Sequence, residues 1–185
     1  AEYDREMHQF LSKIGYQGIE IAPPHIVGEN PYEKIQQAKE WKKQLKEEFG
    51  LLVSSMQSIW FGRKENLFES DEERHALFEY TKRAIEFAHA VECGNLVFGS
   101  PKNRNLNNPD KYKYAYEFFK ELGDYAKKND TVLSMEANPT IYNTNFINTT
   151  SQAFTLVREI DSDGFRVNLD LGTMIQNEES IDVLI

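Results

Sequence analysis

Apolar positions along this chain follow two rhythms in turn: longer stretches at helical spacing and short runs rich in β-branched residues. Met7, Phe10, Leu11 and Ile14 make a helical stripe, and Gly15 is the expected left-handed stop. A short strand over 18–22 leads into a Pro-Pro-His loop over 23–28. Asn30, Pro31 and Glu33 predict a helix start with a side-chain cap, a proline at the first position and a glutamate at the third. Ile35, Ala38, Leu45 and Phe49 continue that helix to Gly50, and a strand over 51–56 follows with a long outgoing loop over 57–69. Ser70 to Glu73 reads as a capping box, and Leu77, Tyr80, Ala84, Ala88 and Val91 trace the buried face of the next helix. A strand over 95–98 runs into a polar loop over 99–104, and Asn108-Pro109 opens a helix with Ala115, Phe119, Leu122 and Ala126 inward. The strand over 131–136 is closed by Pro139, a helix capped near Thr149 turns Ala153, Val157 and Ile160 inward, and a last strand ends in Asp170. A further helical pattern runs to Ile185.

Strand starts near Gly18, Leu51, Asn95, Thr131 and Phe165 recur every 33 to 44 residues, with a helix between each pair. Strands joined by helices pair in parallel through right-handed crossovers. A (β/α)8 barrel and an open doubly wound sheet both satisfy this pattern. No strand is followed by a Gly-x-Gly-x-x-Gly or Walker loop, which lowers the case for a nucleotide-binding open sheet. An α/β fold of the TIM-barrel type is therefore expected.

Composition narrows the partners. The 185 residues are enough for one domain with a sizeable core. Lys plus Arg number 21 against 30 Asp plus Glu, a formal net charge of -9, which does not suit a surface that must hold a polyphosphate backbone. A small substrate is expected, with no nucleic acid. The lone cysteine, Cys93, excludes an internal disulfide and fits a reducing compartment. No apolar run approaches the roughly 18 residues of a membrane span, and no secretion-signal pattern is present, so a cytoplasmic protein without a membrane partner is expected.

Candidate chemistry gathers at one edge of the predicted sheet. Glu136 and Asp170 end consecutive parallel strands, so their carboxylates are expected side by side at the C-terminal rim, where they can offer hard oxygen ligands to Mn2+, Mg2+ or Co2+, or act as a base. The bland alternative is that each caps a neighbouring helix or pairs with a cation. Glu20 ends the first strand on the same edge and can hold a ligand hydroxyl or form a rim salt bridge. The loop with Ser100, Lys102 and Arg104 can bind a phosphate or carboxylate, with Arg104 as a bidentate donor, or be an ordinary solvated loop. Trp60 and Phe61 can stack on a sugar or cover the barrel mouth. His8, His75 and His89 lie on helices away from the rim, whereas His25 follows a strand and is the one histidine positioned to reach it.

Four segments in this order, Gly15-Tyr-Gln-Gly-Ile-Glu-Ile21, Val97-Phe-Gly-Ser-Pro101 with Arg104, Ser134-Met-Glu-Ala-Asn-Pro139 and Val167-Asn-Leu-Asp170, resemble the sugar phosphate isomerase/epimerase family with its xylose-isomerase-like barrel. The resemblance implies a divalent metal held by Glu136 from strand 5 and Asp170 from strand 6, with a His and an acid from strands 7 and 8. It implies proton transfer next to a carbonyl through an enediolate, with Glu136 as proton acceptor, and it places Asn138 among the substrate-binding residues. Many members carry a His where this chain has Thr173. Against the roughly 250 residues of a complete barrel, the chain is expected to be a single domain over 1–185, truncated at both ends, with about strands 2 to 6 present. Such a chain is expected to be inactive alone and to self-associate through uncovered barrel edges. Two alternatives remain: a metal-dependent endonuclease on the same barrel, and a non-catalytic fragment that binds a small ligand or a partner chain.

Overall fold

The computed structural model describes residues 2–180, with side chains from Asp4 onward. Helix α1 (Glu2–Lys13) precedes five strands, β1 (Gly18–Ile21), β2 (Leu52–Met56), β3 (Asn95–Phe98), β4 (Val132–Glu136) and β5 (Phe165–Asn168). They form one parallel sheet in the order β1-β2-β3-β4-β5, so each strand lies beside its predecessor. The crossovers carry α2 (Pro23–Val27), α3 (Ile35–Phe49), α4 (Asp71–Ala90), α5 (Tyr112–Lys128) and α6 (Thr150–Ile160), and α7 (Leu171–Gln176) follows β5. Among the described residues β1 and β5 are the two sheet edges, and no helix is long and apolar enough to cross a membrane. The helical pattern expected over the last residues to Ile185 lies outside the described residues.

The two faces of the sheet differ because strand side chains alternate with a period of two. Val53, Leu96, Phe98, Leu133, Met135 and Phe165 are buried toward the helices. There Phe119 of α5 stacks on Phe165 at 5.0 Å and meets Phe98 edge-on at 4.9 Å. The opposite face is polar. Asn95 donates to Ser55 Oγ at 3.0 Å and accepts from Ser134 Oγ at 2.6 Å, which joins β2 and β4 through the first residue of β3. Above that layer, Glu136 pairs in register with Asn168. A parallel sheet buried on both sides would be apolar throughout, so this polar face marks the side where a site can be built.

Several local expectations are corrected. Residues 23–27 form the short helix α2 rather than a loop, because Pro23 and Pro24 occupy the first turn, where a missing N–H costs nothing. Asn30 is left-handed and caps nothing with its side chain; Pro31–Glu33 is a 3-10 turn, and α3 starts at Ile35. Asn108 caps only the 3-10 turn Pro109–Lys111, and α5 begins at Tyr112. Ser70 accepts from Glu73 N as expected, but the Glu73 carboxylate turns to Asn66 N at 2.6 Å instead of completing a capping box. Thr149 and Gln152, by contrast, form a full capping box at the start of α6.

Candidate active site

Glu136 is the last residue of β4, and Asp170 lies two residues beyond β5, so both sit at the C-terminal edge of the sheet. Their surroundings differ. Asp170 is the N-cap of α7: its carboxylate accepts from Gly172 N at 3.2 Å and Thr173 N at 2.9 Å, which is the bland role weighed for it. Thr173 is buried, and its hydroxyl reaches Asp170 Oδ2 at 2.8 Å and Ala137 O at 2.9 Å, so it ties the α7 cap to the outgoing end of β4.

Glu136 has no cap to make. Its Oε2 accepts from Asn138 Nδ2 at 3.1 Å, and its Oε1 accepts a longer bond from Asn168 Nδ2 at 3.3 Å. Burial pushes its carboxyl above the usual 4.5, and the charges of Asp170 and Glu20 push the same way against the Asn138 hydrogen bond and the nearby Arg104. A carboxylate at odds with its neighbours' charge is a functional-site signature. The group also leans over Gly99, where an added Cβ would come within 2.7 Å of Oε2.

A cleft of about 580 Å³ opens beside it, lined by Gln57, Phe61, Val97, Gly99, Ser100 and Lys102 among others. Ser100 takes a left-handed conformation with φ 42°, and the exposed Lys102 stands on the outer wall. Glu20 is exposed and accepts from Gln57 Nε2 at 3.0 Å, which links β1 to a cleft residue. His25 is exposed on α2 and is not among the residues lining this cleft.

Three expected ligand contacts are corrected. Trp60 lines the cleft but is 2% exposed, donates to Thr81 Oγ1 at 2.8 Å and packs edge-on to Phe98, so it is mainly a core residue, while Phe61, 66% exposed, is the open aromatic of the cleft wall. Arg104 is fully buried and reaches toward β4, away from solvent, because its Nη2 finds Glu136 O at 2.9 Å and Asn138 Oδ1 at 2.6 Å there. Asn138 is 6% exposed, and its amide hydrogens go to Glu136 and to Ala137 O at 3.2 Å, leaving none for a ligand. Asn168 and Gln57 are not among the residues singled out from the sequence. Asn168 had a signal, since it shares the strand parity of Asp170 at the end of the same run.

The chemistry of the donor set gives a partial fit to a divalent ion. Two carboxylates at neighbouring strand ends, with burial and the charges of Asp170 and Glu20 only partly offset at Glu136 by Asn138 and Arg104, favour a cation. Among the described residues, however, no group of three or more His, Cys, Asp or Glu could hold one. Among the described residues, then, Glu136 and Asp170 do not by themselves make a metal site.

Residues 9–184 match the model of the xylose isomerase-like TIM barrel, and the chain belongs to that family. No curated sequence matches it. Similar solved structures include the 3-keto-D-glucoside 4-epimerase of E. coli, at 19% identity and a TM-score of 0.74, covering 97% of this chain and 68% of that one. D-psicose 3-epimerase of Clostridium cellulolyticum H10 with D-tagatose shares 17% identity at a TM-score of 0.75, over 98% of this chain and 62% of that one. A xylose isomerase-like TIM barrel protein of Mycobacterium smegmatis in complex with magnesium shares 19% identity at 0.62, over 92% and 56%. The chain thus spans about two thirds or less of their lengths, and at these identities the likeness carries the fold. The α/β architecture is that of a TIM barrel, with five parallel strands in sequence order.

The geometry makes one substitution informative here. Gly99→Ala puts a methyl group against the flexible Glu136 side chain and no backbone. Stability should change by less than about 1 kcal/mol, whereas any activity that depends on the position of the Glu136 carboxylate should fall about 10- to 100-fold because the carboxylate must move. Paired urea titrations and rate measurements check both halves.

Proposed function

We propose that the protein is a divalent-metal-dependent sugar or sugar-phosphate isomerase or epimerase in which Glu136 moves a proton on the carbon next to a substrate carbonyl. The observation that supports this reading most is the state of Glu136: half-buried at the C-terminal rim, raised in pKa and open to a cleft of monosaccharide size. A carboxylate whose pKa is raised is a stronger proton acceptor than an exposed one. Asn138 holds Oε2, and the weaker bond to Asn168 leaves Oε1 the freer oxygen to meet the substrate C–H. Phe61 offers an apolar face to the sugar ring, Gln57 and Ser100 offer hydroxyl partners, and Lys102 on the outer wall suits a phosphate.

Glu136 and Asp170 are the residues that would hold the metal, with further ligands from outside the described residues. Bound there, a divalent ion supplies Lewis-acid polarisation of substrate oxygens and favours an enediolate over the carbonyl form. That the neighbouring structures include epimerases, one with D-tagatose, makes ketoses the first substrates to try.

The test is solvent exchange. Full-length protein with Mn2+ and a panel of ketoses and ketose phosphates in D2O should place deuterium on the carbon adjacent to the carbonyl. The reading fails if no member of the panel exchanges, or if Glu136→Gln exchanges as fast as the parent.

A further inference from the structure

A buried arginine with no ion pair is unusual, because removing a guanidinium from water costs several kcal/mol unless its surroundings repay it. Arg104 is such a residue. It is fully buried, its Nη1 contacts Met135 Sδ at 2.9 Å, and its Nε has no hydrogen-bond partner. Only Nη2 is well used, donating both to Glu136 O at 2.9 Å and to Asn138 Oδ1 at 2.6 Å. Burial lowers its pKa to about 9, so the side chain is still charged at neutral pH.

The consequence lies in the asymmetry of the Asn138 amide. A guanidinium can only donate, so the atom facing Arg104 has to be the amide oxygen, and the NH2 has to face the other way. The other way is Glu136 Oε2, at 3.1 Å. The reversed amide would put two donors together at Arg104 and two acceptors together at Glu136, losing both bonds. We propose that Arg104 is a positioning residue: by fixing the flip of Asn138 it directs the Asn138 hydrogen bond that pins Glu136 Oε2 and leaves Oε1, held only by the longer Asn168 bond, as the working oxygen. This goes beyond the role expected for Arg104 from sequence, and it rests on the proposed function only in taking Glu136 as the working carboxylate.

The Asn138 backbone is held independently, by its N–H to Ile147 O at 3.1 Å and by Asn148 Nδ2 to its O at 2.8 Å, so disturbing Arg104 releases the amide without releasing the loop. Lysine should substitute well, since one nitrogen, Nη2, makes both useful bonds and an ammonium can donate to both acceptors.

The test uses R104M, R104K, N138A and the R104M/N138A double variant of the full-length protein. It has two readouts: the Kd for Mn2+ alone by calorimetry, and the solvent exchange of the Asn138 side-chain NH2 by NMR. R104M should speed that exchange and raise the Kd about 10- to 100-fold, as loss of an outer-shell partner does. N138A should raise the Kd equally, the double variant should be no worse than either single one, and R104K should lie within about threefold of the parent. The proposal is overturned if N138A binds Mn2+ like the parent, if the single losses add in the double variant, or if R104M leaves the Asn138 amide unchanged. Should R104M fail to fold, N138A and R104K decide: a normal Kd in N138A, or an R104K Kd as poor as that of N138A, overturns it. If the parent protein takes up no Mn2+, the metal assignment fails instead, and the amide exchange in R104M and R104K alone decides the positioning role.

Discussion

If Glu136 is the proposed proton acceptor, Glu136→Gln should lower turnover of the full-length protein by about 10²- to 10⁴-fold, and in metal-free buffer the stability of the variant relative to its parent should rise with pH. The two effects have one cause. Burial and the like charges of Asp170 and Glu20 raise the folded-state pKa of Glu136 above its ordinary 4.5. A raised carboxyl pKa means that the folded state binds the proton more tightly than the unfolded state, so stability falls as pH climbs from 4.5 through the folded value. Above that window the parent carries the whole penalty of a desolvated charge, whereas Gln carries only a pH-independent cost, its NH2 facing one of the two asparagine donors. Below 4.5 both states of the parent are protonated and the advantage of Gln disappears. Melting curves from pH 4 to 8 with a chelator present should show the gap opening with rising pH. A stability gap that does not change in favour of Gln between pH 4 and 8, or a variant that retains near-normal turnover, would contradict the assignment of Glu136 as a desolvated working group.

What could be read from sequence follows the range of the forces involved. The five strands were legible because their β-branched runs are bounded by Gly, Pro and Asn, and the C-terminal edge was legible because a parallel βα repeat dictates which ends face the loops. Glu136 stood out because a carboxylate ending a buried strand has few structural uses. The burial of Arg104 and Trp60 was not legible for a shared reason: both occupy polar loops, and only tertiary packing turns them inward, Trp60 onto Thr81 and Phe98 and Arg104 onto Asn138. Asp170 was placed at the right edge, but local geometry gave its oxygens to the first turn of α7. No one-dimensional pattern foretells that Gly99 must be small because another strand's side chain leans over it.

The same kind of long-range contact predicts the largest loss of stability. Gly164→Ala should destabilise the fold by about 3 kcal/mol, the upper end of what overpacking usually costs. Gly164 lies just before β5, against the backbone of α5: a Cβ there would sit 1.9 Å from Gly123 O and 2.7 Å from Lys127 N. Neither atom can rotate away as a side chain would, so α5 and β5 must separate. Gly123 faces the same junction, where its own Cβ would meet Ser162 Oγ at 2.8 Å and Phe165 Cβ at 2.9 Å. Two glycines opposite each other thus set how closely helix and strand approach. That approach lets Ser162 Oγ donate to Asp124 Oδ1 at 2.7 Å, Lys120 Nζ donate to Asp161 O at 3.0 Å and Phe119 stack on Phe165. Leu133 N donates to Gly164 O at 2.9 Å, so a shift at Gly164 also pulls on β4, the strand that carries Glu136. For a chain of this size about 3 kcal/mol corresponds to a Tm lower by roughly 6–12 °C. Gly94→Ala is the control, because nothing lies within 4 Å of its added Cβ, and it should leave stability within about 1 kcal/mol of the parent. Thermal and urea unfolding of the two variants side by side measures the difference, and a Gly164→Ala protein as stable as the Gly94→Ala control would mean that α5 does not pack on β5 as closely as described.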